Sequence, residues 1–225
     1  MSELSERLAD VRGRIDEAAR AAHRSSDELT LIVVTKFHPA SLVRELAQLG
    51  VTDVGENRHQ EAQAKAAELA DLPLRWHFIG QLQTKKARQA ARYAHAIHSI
   101  DRIRLVDALE GIEHDLDGFV QVNLTDDPGR GGAAPHELEP LVERVLDNPR
   151  LRLRGVMAVA PLPEEEPAAR AFARLREYSE RVRRLAPGAT DISAGMTHDF
   201  AEAIAEGATH LRIGSAITGN RPAAG

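Results

Sequence analysis

A lysine, Lys36, ends the apolar segment LTLIVVTK, which has the composition of a buried β-strand. Side chains alternate along a strand, so Lys36 shares a face with Ile32 and Val34. If that face is the protein interior, the amine must be neutralised, paired or used covalently, because an isolated buried ammonium is costly. A desolvated lysine is the usual nucleophile toward a carbonyl group, with which it forms a Schiff base. The alternative is a lysine at the point where the chain reaches the surface.

An arginine, Arg212, has a similar position in the late segment ATHLRI. The apolar residues on either side of it would face the opposite way, which directs the guanidinium inward. A buried ion pair with Glu56 or Asp101 is one interpretation. Because arginine only donates hydrogen bonds, a heteroaromatic ring nitrogen with a free lone pair is the other.

Two glycine-containing turns follow the last two predicted strands. The segment SAGMT, residues 193–197, would begin a helix whose first N–H groups lack internal partners, and RIGS, residues 212–215, follows the final strand. In barrels of alternating strands and helices, the corresponding loops often bind a phosphate. Thr197 is suited to cap the helix or to donate its hydroxyl to the phosphate. A Schiff-base lysine, a ring-nitrogen arginine and two phosphate loops together meet the requirements of pyridoxal 5′-phosphate (PLP).

Short β-like segments alternate with helical ones along most of the chain. Strands are predicted at about 29–35, 52–55, 75–79, 95–99, 118–123, 152–158, 190–193 and 208–213. Strict alternation predicts parallel strands with right-handed crossovers, and this number of units predicts an α/β fold, a single (β/α)₈ TIM-type barrel, with an open doubly wound sheet as the alternative. The polar residues at the carboxyl ends of these strands would then lie together on one rim of the barrel. We divide the single domain, residues 1–225, into an N-terminal helix with Ser2 as N-cap (1–22), the barrel (29–214) and a tail (215–225).

Composition excludes several classes of function. The 225 residues include no cysteine, which excludes disulfides, thiolate metal ligands and a cysteine nucleophile. A net charge of −5 provides no basic field, so we expect no nucleic acid partner. No apolar segment approaches the ~20 residues that span a bilayer, and no signal peptide is evident, so we expect no membrane association and a cytoplasmic location. The histidines show no ligand spacing: His95 and His98 are predicted on opposite faces of a strand, and we expect no metal site.

Over nearly its whole length the chain resembles the pyridoxal phosphate homeostasis proteins. The resemblance lies in successive motifs: VVTKFHP, GENRHQEAQAK, WHFIGQLQTKKAR, HSID, QVNLTDD, LRLRGVMA, SAGMTHDFAEAIAEGAT and RIGSAITG. It implies an alanine-racemase-like barrel, the type III PLP fold, with Lys36 as the Schiff-base lysine and Arg212 at the pyridine nitrogen. It also implies Asn57 close to the cofactor, and around the phosphate Ser193, Met196, Thr197, Gly214 and Ser215.

The chain departs from the family pattern at three positions. Lys85 stands where the family usually has asparagine, His38 where a second lysine is common, and Arg130 where a lysine is expected after the fifth strand. Arginine and histidine do not form the same stable imine as lysine. The pattern therefore does not support a second PLP-acceptor site at these positions.

A ring nitrogen opposite an arginine stays unprotonated, so PLP stabilises carbanions less well. The racemases of this fold, as the resemblance implies, compensate with a tyrosine base from an additional domain of the partner subunit. This chain ends at Gly225, soon after the eighth predicted strand, and no such domain is expected. Tyr93 and Tyr178 both fall in predicted helices.

We therefore expect a monomeric PLP carrier that buffers PLP or delivers it to PLP-dependent apo-enzymes, with no catalytic residue of its own. Two enzymes are the alternatives. One is a PLP-dependent amino-acid racemase of low activity. The other is a Schiff-base barrel aldolase whose lysine binds a sugar-phosphate aldehyde directly. This interpretation leaves the inward Arg212 without a ring to bind.

Overall fold

A closed barrel of parallel strands forms the centre of the protein, and a computed structural model describes residues 2–220. Within that range the strands are β1 Thr30–Val34, β2 Asp53–Glu56, β3 Arg75–Phe78, β4 Ala96–Ile100, β5 Leu116–Gln121, β6 Leu151–Met157, β7 Asp191–Ser193 and β8 His210–Ile213. They follow one another around the barrel in chain order, and β1 pairs with β8. The predicted barrel is confirmed, and the alternative prediction of an open doubly wound sheet is wrong. Each predicted strand end lies within two residues of the observed one.

Helices connect the strands and surround the barrel. In the described chain they are α1 Glu3–Ala21, α2 Ala40–Gln48, α3 His59–Glu68, α4 Ala87–Ala91, α5 Ile103–Ala108, α6 Leu138–Leu146, α7 Ala168–Leu185, α8 Phe200–Ala205 and α9 Ser215–Thr218. Helix α9 lies inside the predicted tail of residues 215–225, of which 221–225 are outside the described residues. Across residues 2–220, no helix has the length and apolar character needed to cross a bilayer.

The N-terminal helix α1 forms as its sequence pattern predicts. Apolar residues at helical spacing bury one face of it, which packs on α8 and α9: Leu4, Leu8, Val11, Ile15 and Ala19. Ser2 is the N-cap, and its hydroxyl accepts a hydrogen bond from the N–H of Ser5 at 3.3 Å. The predicted helix and its cap are therefore confirmed.

Alternate residues of each strand face the helices and the barrel interior. The outward residues, such as Val33, Val54 and Ile97, belong to one large apolar cluster between strands and helices. The interior holds a small apolar cluster of Ala96, Phe119 and Met157. It also holds buried polar side chains, among them Asp53, His77, His98, Ser193 and Arg212. Because branched aliphatic residues usually fill such a barrel, this polar interior is the feature that needs a functional explanation.

Candidate functional site

Lys36 lies in the turn that follows β1, at the rim of the barrel. Ile32 and Val34 point inward across Gly55 of β2, where an added Cβ would lie 3.0 Å from Ile32 Cγ2 and 3.5 Å from Val34 Cγ2. Lys36 is half-buried, and its Nζ lies 5.9 Å from the centre of the Phe37 ring. The next residue, Phe37, has a φ of 69°, a left-handed conformation that is strained for a bulky side chain. The chain therefore bends sharply directly after the lysine.

Helix α3 holds the peptide groups on both sides of Lys36. The Nζ of Lys65 donates to the carbonyl oxygen of Thr35 at 2.9 Å and to Glu56 Oε1 at 2.7 Å. One turn earlier on the same helix, Glu61 Oε2 accepts the N–H of Phe37 at 3.2 Å. These contacts fix the backbone immediately before and after the lysine.

The Lys65–Glu56 pair lies between the barrel and α3, with exposed fractions of 8% for Lys65 and 1% for Glu56. Thr35 Oγ1 also donates to Glu56 Oε1, at 2.7 Å. The other carboxylate oxygen of Glu56 has no hydrogen-bond partner among the described residues. Burial raises the pKa of the Glu56 carboxyl, although hydrogen bonds from Lys65 and Thr35 act in the opposite direction.

Arg212 lies inside the barrel, on β8, and is 4% exposed. Its Nη1 donates to Ser193 Oγ at 2.7 Å, and its Nη2 donates to the carbonyl oxygen of Ala158 at 2.8 Å. In strand register it lies beside Ile32 of β1, the strand that leads to Lys36. Burial lowers the pKa of Arg212 to about 10, which leaves the guanidinium charged at neutral pH.

The ion-pair interpretation of Arg212 is wrong. No carboxylate oxygen of residues 2–220 lies within 4.0 Å of its guanidinium. Glu56 faces the helices and binds Lys65, and Asp101 binds Arg102. Arg212 is thus a buried cation that is held by neutral oxygens.

Ser193 lies beneath Arg212. Its side chain is completely buried, and its Oγ is 2.7 Å from Arg212 Nη1 and 2.8 Å from His98 Nδ1. These two neighbours engage two of the three hydrogen-bonding positions of the hydroxyl. The observed partners of Ser193 are thus Arg212 and His98, and its phosphate contact stays a prediction.

The hydrogen bonds continue from His98 to the opposite end of the barrel. His98 Nε2 lies 2.9 Å from His77 Nδ1, and His77 Nε2 lies 2.8 Å from Asp53 Oδ1. Arg75 Nη2 donates to Asp53 Oδ2 at 2.6 Å. This series was not predicted from the sequence, although the inward histidines on β3 and β4 were a signal for it.

His95 and His98 do not lie on opposite faces, so that prediction is wrong. Both imidazoles contact His77, with ring centroids at 5.7 Å for His95 and 5.1 Å for His98. His95 precedes β4 and lies at the lower end of the barrel, where the strand alternation has not yet begun. In the described part of the chain, no three histidine, aspartate or glutamate residues are grouped so that they could hold a metal ion.

The loop after β7 is held by an internal carboxylate. Gly195 has a φ of 93°, and an added Cβ would lie 2.9 Å from the Cβ of Ala203 on α8. The N–H of Met196 donates to Asp199 Oδ1 at 2.6 Å. Asp199 is the N-cap residue of α8, so the cap predicted for Thr197 is wrong, because the helix begins three residues later. Thr197 itself is partly exposed on this loop.

The loop after β8 packs closely against β1. At Gly214 an added Cβ would lie 3.3 Å from the Cβ of Val34. Ser215 follows Gly214, is exposed, and begins α9. The two glycine turns therefore lie on adjacent strand ends, next to the end of β1 that leads to Lys36.

Asn57 ends the turn after β2 and is half-buried. Its Oδ1 is buried and has no hydrogen-bond partner among the described residues. Gly80, after β3, approaches so closely that an added Cβ would lie 2.3 Å from the Asn57 carbonyl oxygen. Beside these two turns is a cleft of about 390 Å³ whose lining includes Asn57, Gln81 and Lys86.

The three positions at which the chain departs from the family pattern have different surroundings. His38 is buried, and burial together with the nearby charge of Lys65 lowers its pKa. Lys85 is exposed in a short 3₁₀ helix, Thr84–Lys86. Arg130 donates to the carbonyl oxygen of Ala160 and to Glu165, which joins the loops after β5 and β6.

Both tyrosines pack in the outer layer, against the apolar cluster between strands and helices. Tyr178 lies in α7, as predicted. Tyr93 lies in the turn after α4 and not in a helix, and its hydroxyl is 3.4 Å from His59 Nδ1. Burial raises the pKa of Tyr93, so the hydroxyl keeps its proton.

Comparison with known proteins identifies close relatives. The sequence profile of the family described as alanine racemase, N-terminal domain, matches residues 8–222. The pyridoxal phosphate homeostasis protein of Pseudomonas aeruginosa is 45% identical, over 98% of this chain and 97% of the relative. The protein of that name in Escherichia coli is 38% identical, over 98% of each chain.

Solved structures agree with these sequence matches. PipY of Synechococcus elongatus, solved with PLP bound, superposes with a TM-score of 0.82 at 35% identity, over 96% of this chain and 99% of PipY. Alanine racemase of Corynebacterium glutamicum superposes with a TM-score of 0.71 at 16% identity, over 95% of this chain and 62% of the racemase. At that identity the racemase shares the fold alone.

Proposed function

The chain belongs to the family of pyridoxal phosphate homeostasis proteins, and on that premise we propose that it holds PLP as a Schiff base on Lys36 and buffers it or delivers it to apo-enzymes. The proposal includes a single barrel domain for residues 1–225, a monomeric state and a cytoplasmic location. It assigns no catalytic residue to the chain.

The observation that carries the proposal is the environment of Arg212. Its guanidinium is buried and charged, and its two hydrogen bonds to Ser193 and Ala158 leave further N–H donors free. A charged donor of this kind requires an acceptor, and in the described chain no carboxylate oxygen lies within 4.0 Å of it, although the Asp199 carboxylate acts on it from farther away. A pyridine nitrogen with a lone pair supplies that acceptor without adding a second charge.

Other features of the described residues fit the same group. Lys36 follows the neighbouring strand β1, its backbone is held on both sides by α3, and we propose that its amine turns to the interior. The unpartnered Oδ1 of Asn57 marks a side-chain amide that can turn its donor or its acceptor to a ligand. The turns at Gly195 and Gly214 lie at adjacent strand ends, where Met196, Thr197, Gly214 and Ser215 would surround a phosphate. The N–H of Met196 would then have to exchange its present acceptor, Asp199 Oδ1, for the phosphate.

These residues favour a carrier over a catalyst. PLP, when bound, supplies an aldehyde for the lysine amine and an electron sink that is strongest when its ring nitrogen is protonated. Arg212 has no proton to give up at neutral pH and only donates hydrogen bonds, so it keeps that nitrogen unprotonated. Tyr93 is buried in the outer layer and keeps its proton, which makes it unsuitable as a base.

Borohydride trapping tests the proposal directly. Purified protein mixed with PLP should turn yellow, lose the colour on reduction, and carry the cofactor mass on the peptide that contains Lys36. Lys36→Ala should bind no PLP covalently and keep the far-UV circular dichroism of the wild type. Lys85→Ala, which removes an exposed lysine, is the matched control and should be labelled like the wild type.

Three results would contradict the proposal. A protein that takes up no PLP cannot be a PLP carrier. If Lys36→Ala were globally unfolded, Lys36 would have a structural role in place of the proposed binding role. Rapid racemisation of alanine or other amino acids by the PLP-loaded protein would favour the enzyme alternative.

A further inference from the structure

We propose that Ser193, His98, His77 and Asp53 form a relay of hydrogen bonds that all run in one direction and hold Arg212 in position as a donor to the ring nitrogen of PLP. The four residues are positioning residues and touch no reacting atom. This inference rests on the proposed function and deepens it, because it names what keeps the guanidinium in place.

The upper part of the relay fixes one nitrogen of Arg212. Ser193 Oγ accepts from Arg212 Nη1 at 2.7 Å and lies 2.8 Å from His98 Nδ1. The imidazole of His98 is stacked on the Phe119 ring, with centroids 4.3 Å apart and an angle of 19° between the planes. Because His98 and Ser193 are completely buried, neither side chain can turn to water for another partner.

The lower part of the relay leads to a carboxylate at the other end of the barrel. His98 Nε2 is 2.9 Å from His77 Nδ1, and His77 Nε2 is 2.8 Å from Asp53 Oδ1. Asp53 also accepts from Arg75 at 2.6 Å, and the Arg75 side chain is half-exposed. A cavity of about 240 Å³ opens at this end, with Asp53, His77 and His210 in its lining. The relay therefore spans the barrel interior from Arg212 to this lower cavity.

The two ends of the relay determine its direction. Burial opposes ionisation of Asp53, but hydrogen bonds from His77, Arg75 and Thr52 lower its pKa far below the ordinary value, so it only accepts. His77 then donates to Asp53 from Nε2, and in the proposed relay its Nδ1 accepts from His98. Burial lowers the pKa of His98 well below its ordinary value, so His98 is neutral and its Nδ1 accepts from the Ser193 hydroxyl. The Ser193 oxygen is thereby left to accept from Arg212.

Nitrogen NMR tests the direction without any PLP. In ¹⁵N-histidine-labelled protein near pH 7, His77 and His98 should both be neutral and protonated at Nε2 only. Variants His77→Gln and His98→Gln assign the two signals. A doubly protonated His77, or a proton on Nδ1 of His98, would reverse the upper hydrogen bonds and overturn the proposal.

PLP release tests the effect on Arg212. Ser193→Ala should release PLP about tenfold faster, which is the loss expected for a hydrogen bond to a charged group. Ser193→Thr keeps the hydroxyl and should restore a rate close to the wild type. Ser179→Ala, which removes a buried hydroxyl from α7, is the matched control and should leave the rate unchanged.

A double-variant cycle separates a relay from local damage. Introduced into the wild-type protein, Asp53→Asn should speed PLP release about threefold. Introduced into Ser193→Ala, it should have no further effect, because the hydrogen bond between the relay and Arg212 is already lost. If the double variant released PLP at a rate increased by the product of the two single effects, the relay would be overturned. If the wild type bound no PLP, the proposed function would fail, and the NMR measurement would still decide whether the relay exists.

Discussion

Replacing Lys65 with methionine removes an ammonium group that donates to both Glu56 and the carbonyl oxygen of Thr35. Glu56 is 1% exposed and already has one unpartnered oxygen, so the variant would leave a buried carboxylate with a single hydrogen bond, from Thr35. Breaking a buried pair in this way costs about 3 to 5 kcal/mol of unfolding free energy. The variant should also bind PLP more weakly, because the backbone before Lys36 loses its contact with α3.

The double variant Lys65→Met, Glu56→Leu isolates the buried charge. With both charged groups replaced by apolar ones, most of the stability should return, and a loss of about 1 kcal/mol should remain because the buried Thr35 hydroxyl loses its acceptor, Glu56 Oε1. Urea unfolding followed by circular dichroism measures all these differences. Arg44→Met breaks the exposed Arg44–Asp71 pair and should leave the unfolding midpoint almost unchanged.

The same comparison has a definite pH dependence. Burial raises the folded-state pKa of Glu56, and loss of the ammonium raises it further, so the carboxyl takes up a proton more readily in the folded variant than in the unfolded one. The stability deficit of Lys65→Met should therefore shrink as pH falls. If Lys65→Met lost no more unfolding free energy than Arg44→Met, or if its loss grew as the pH fell, the proposed role of this buried pair would be refuted.

Three further outcomes follow from the site. Gly195→Ala should cost about 2 kcal/mol and weaken PLP binding, because φ is 93° and the new Cβ would lie 2.9 Å from Ala203; unchanged thermal stability would contradict this. The pKa of Asp53 is lowered, so its ionised carboxylate stabilises the fold above pH 3.8, its ordinary pKa, and this stabilisation is lost as the pH falls. The difference in unfolding free energy between the wild type and Asp53→Asn, measured in urea, should therefore narrow in acid. A difference that stays constant would be contrary evidence. Tyr93→Phe should leave PLP uptake unchanged, and lost uptake would give the hydroxyl a role at the site.

The fold and the inward direction of Arg212 were predictable from local pattern. Strict alternation of strands and helices specifies a parallel barrel, and alternation within β8 places Arg212 with His210 on the inward side. Both inferences use residues that are near neighbours in the sequence. The pairing of β1 with β8 brings Arg212 beside Ile32, on the strand that leads to Lys36. The inward direction of Lys36, which lies beyond the end of β1, stays a prediction.

The partners of those residues were not predictable in the same way. Ser193 meets His98 across 95 positions of sequence, and Lys65 meets Thr35 across 30. Strand register and helix rotation decide such contacts, and no local pattern encodes either. The cap at Thr197 was wrong for a related reason, because the turn is closed by the Asp199 carboxylate before α8 begins.

In the proposed complex, Arg212 donates to the ring nitrogen of a PLP molecule that is held on Lys36. The ¹⁵N chemical shift of ring-labelled PLP bound to the protein reports the protonation and hydrogen bonding of that nitrogen. We predict the shift of an unprotonated, hydrogen-bonded pyridine nitrogen in the wild type, and a change to the protonated form in Arg212→Glu, whose carboxylate can accept a proton. A protonated nitrogen in the wild type, or the shift of free PLP, would contradict the account.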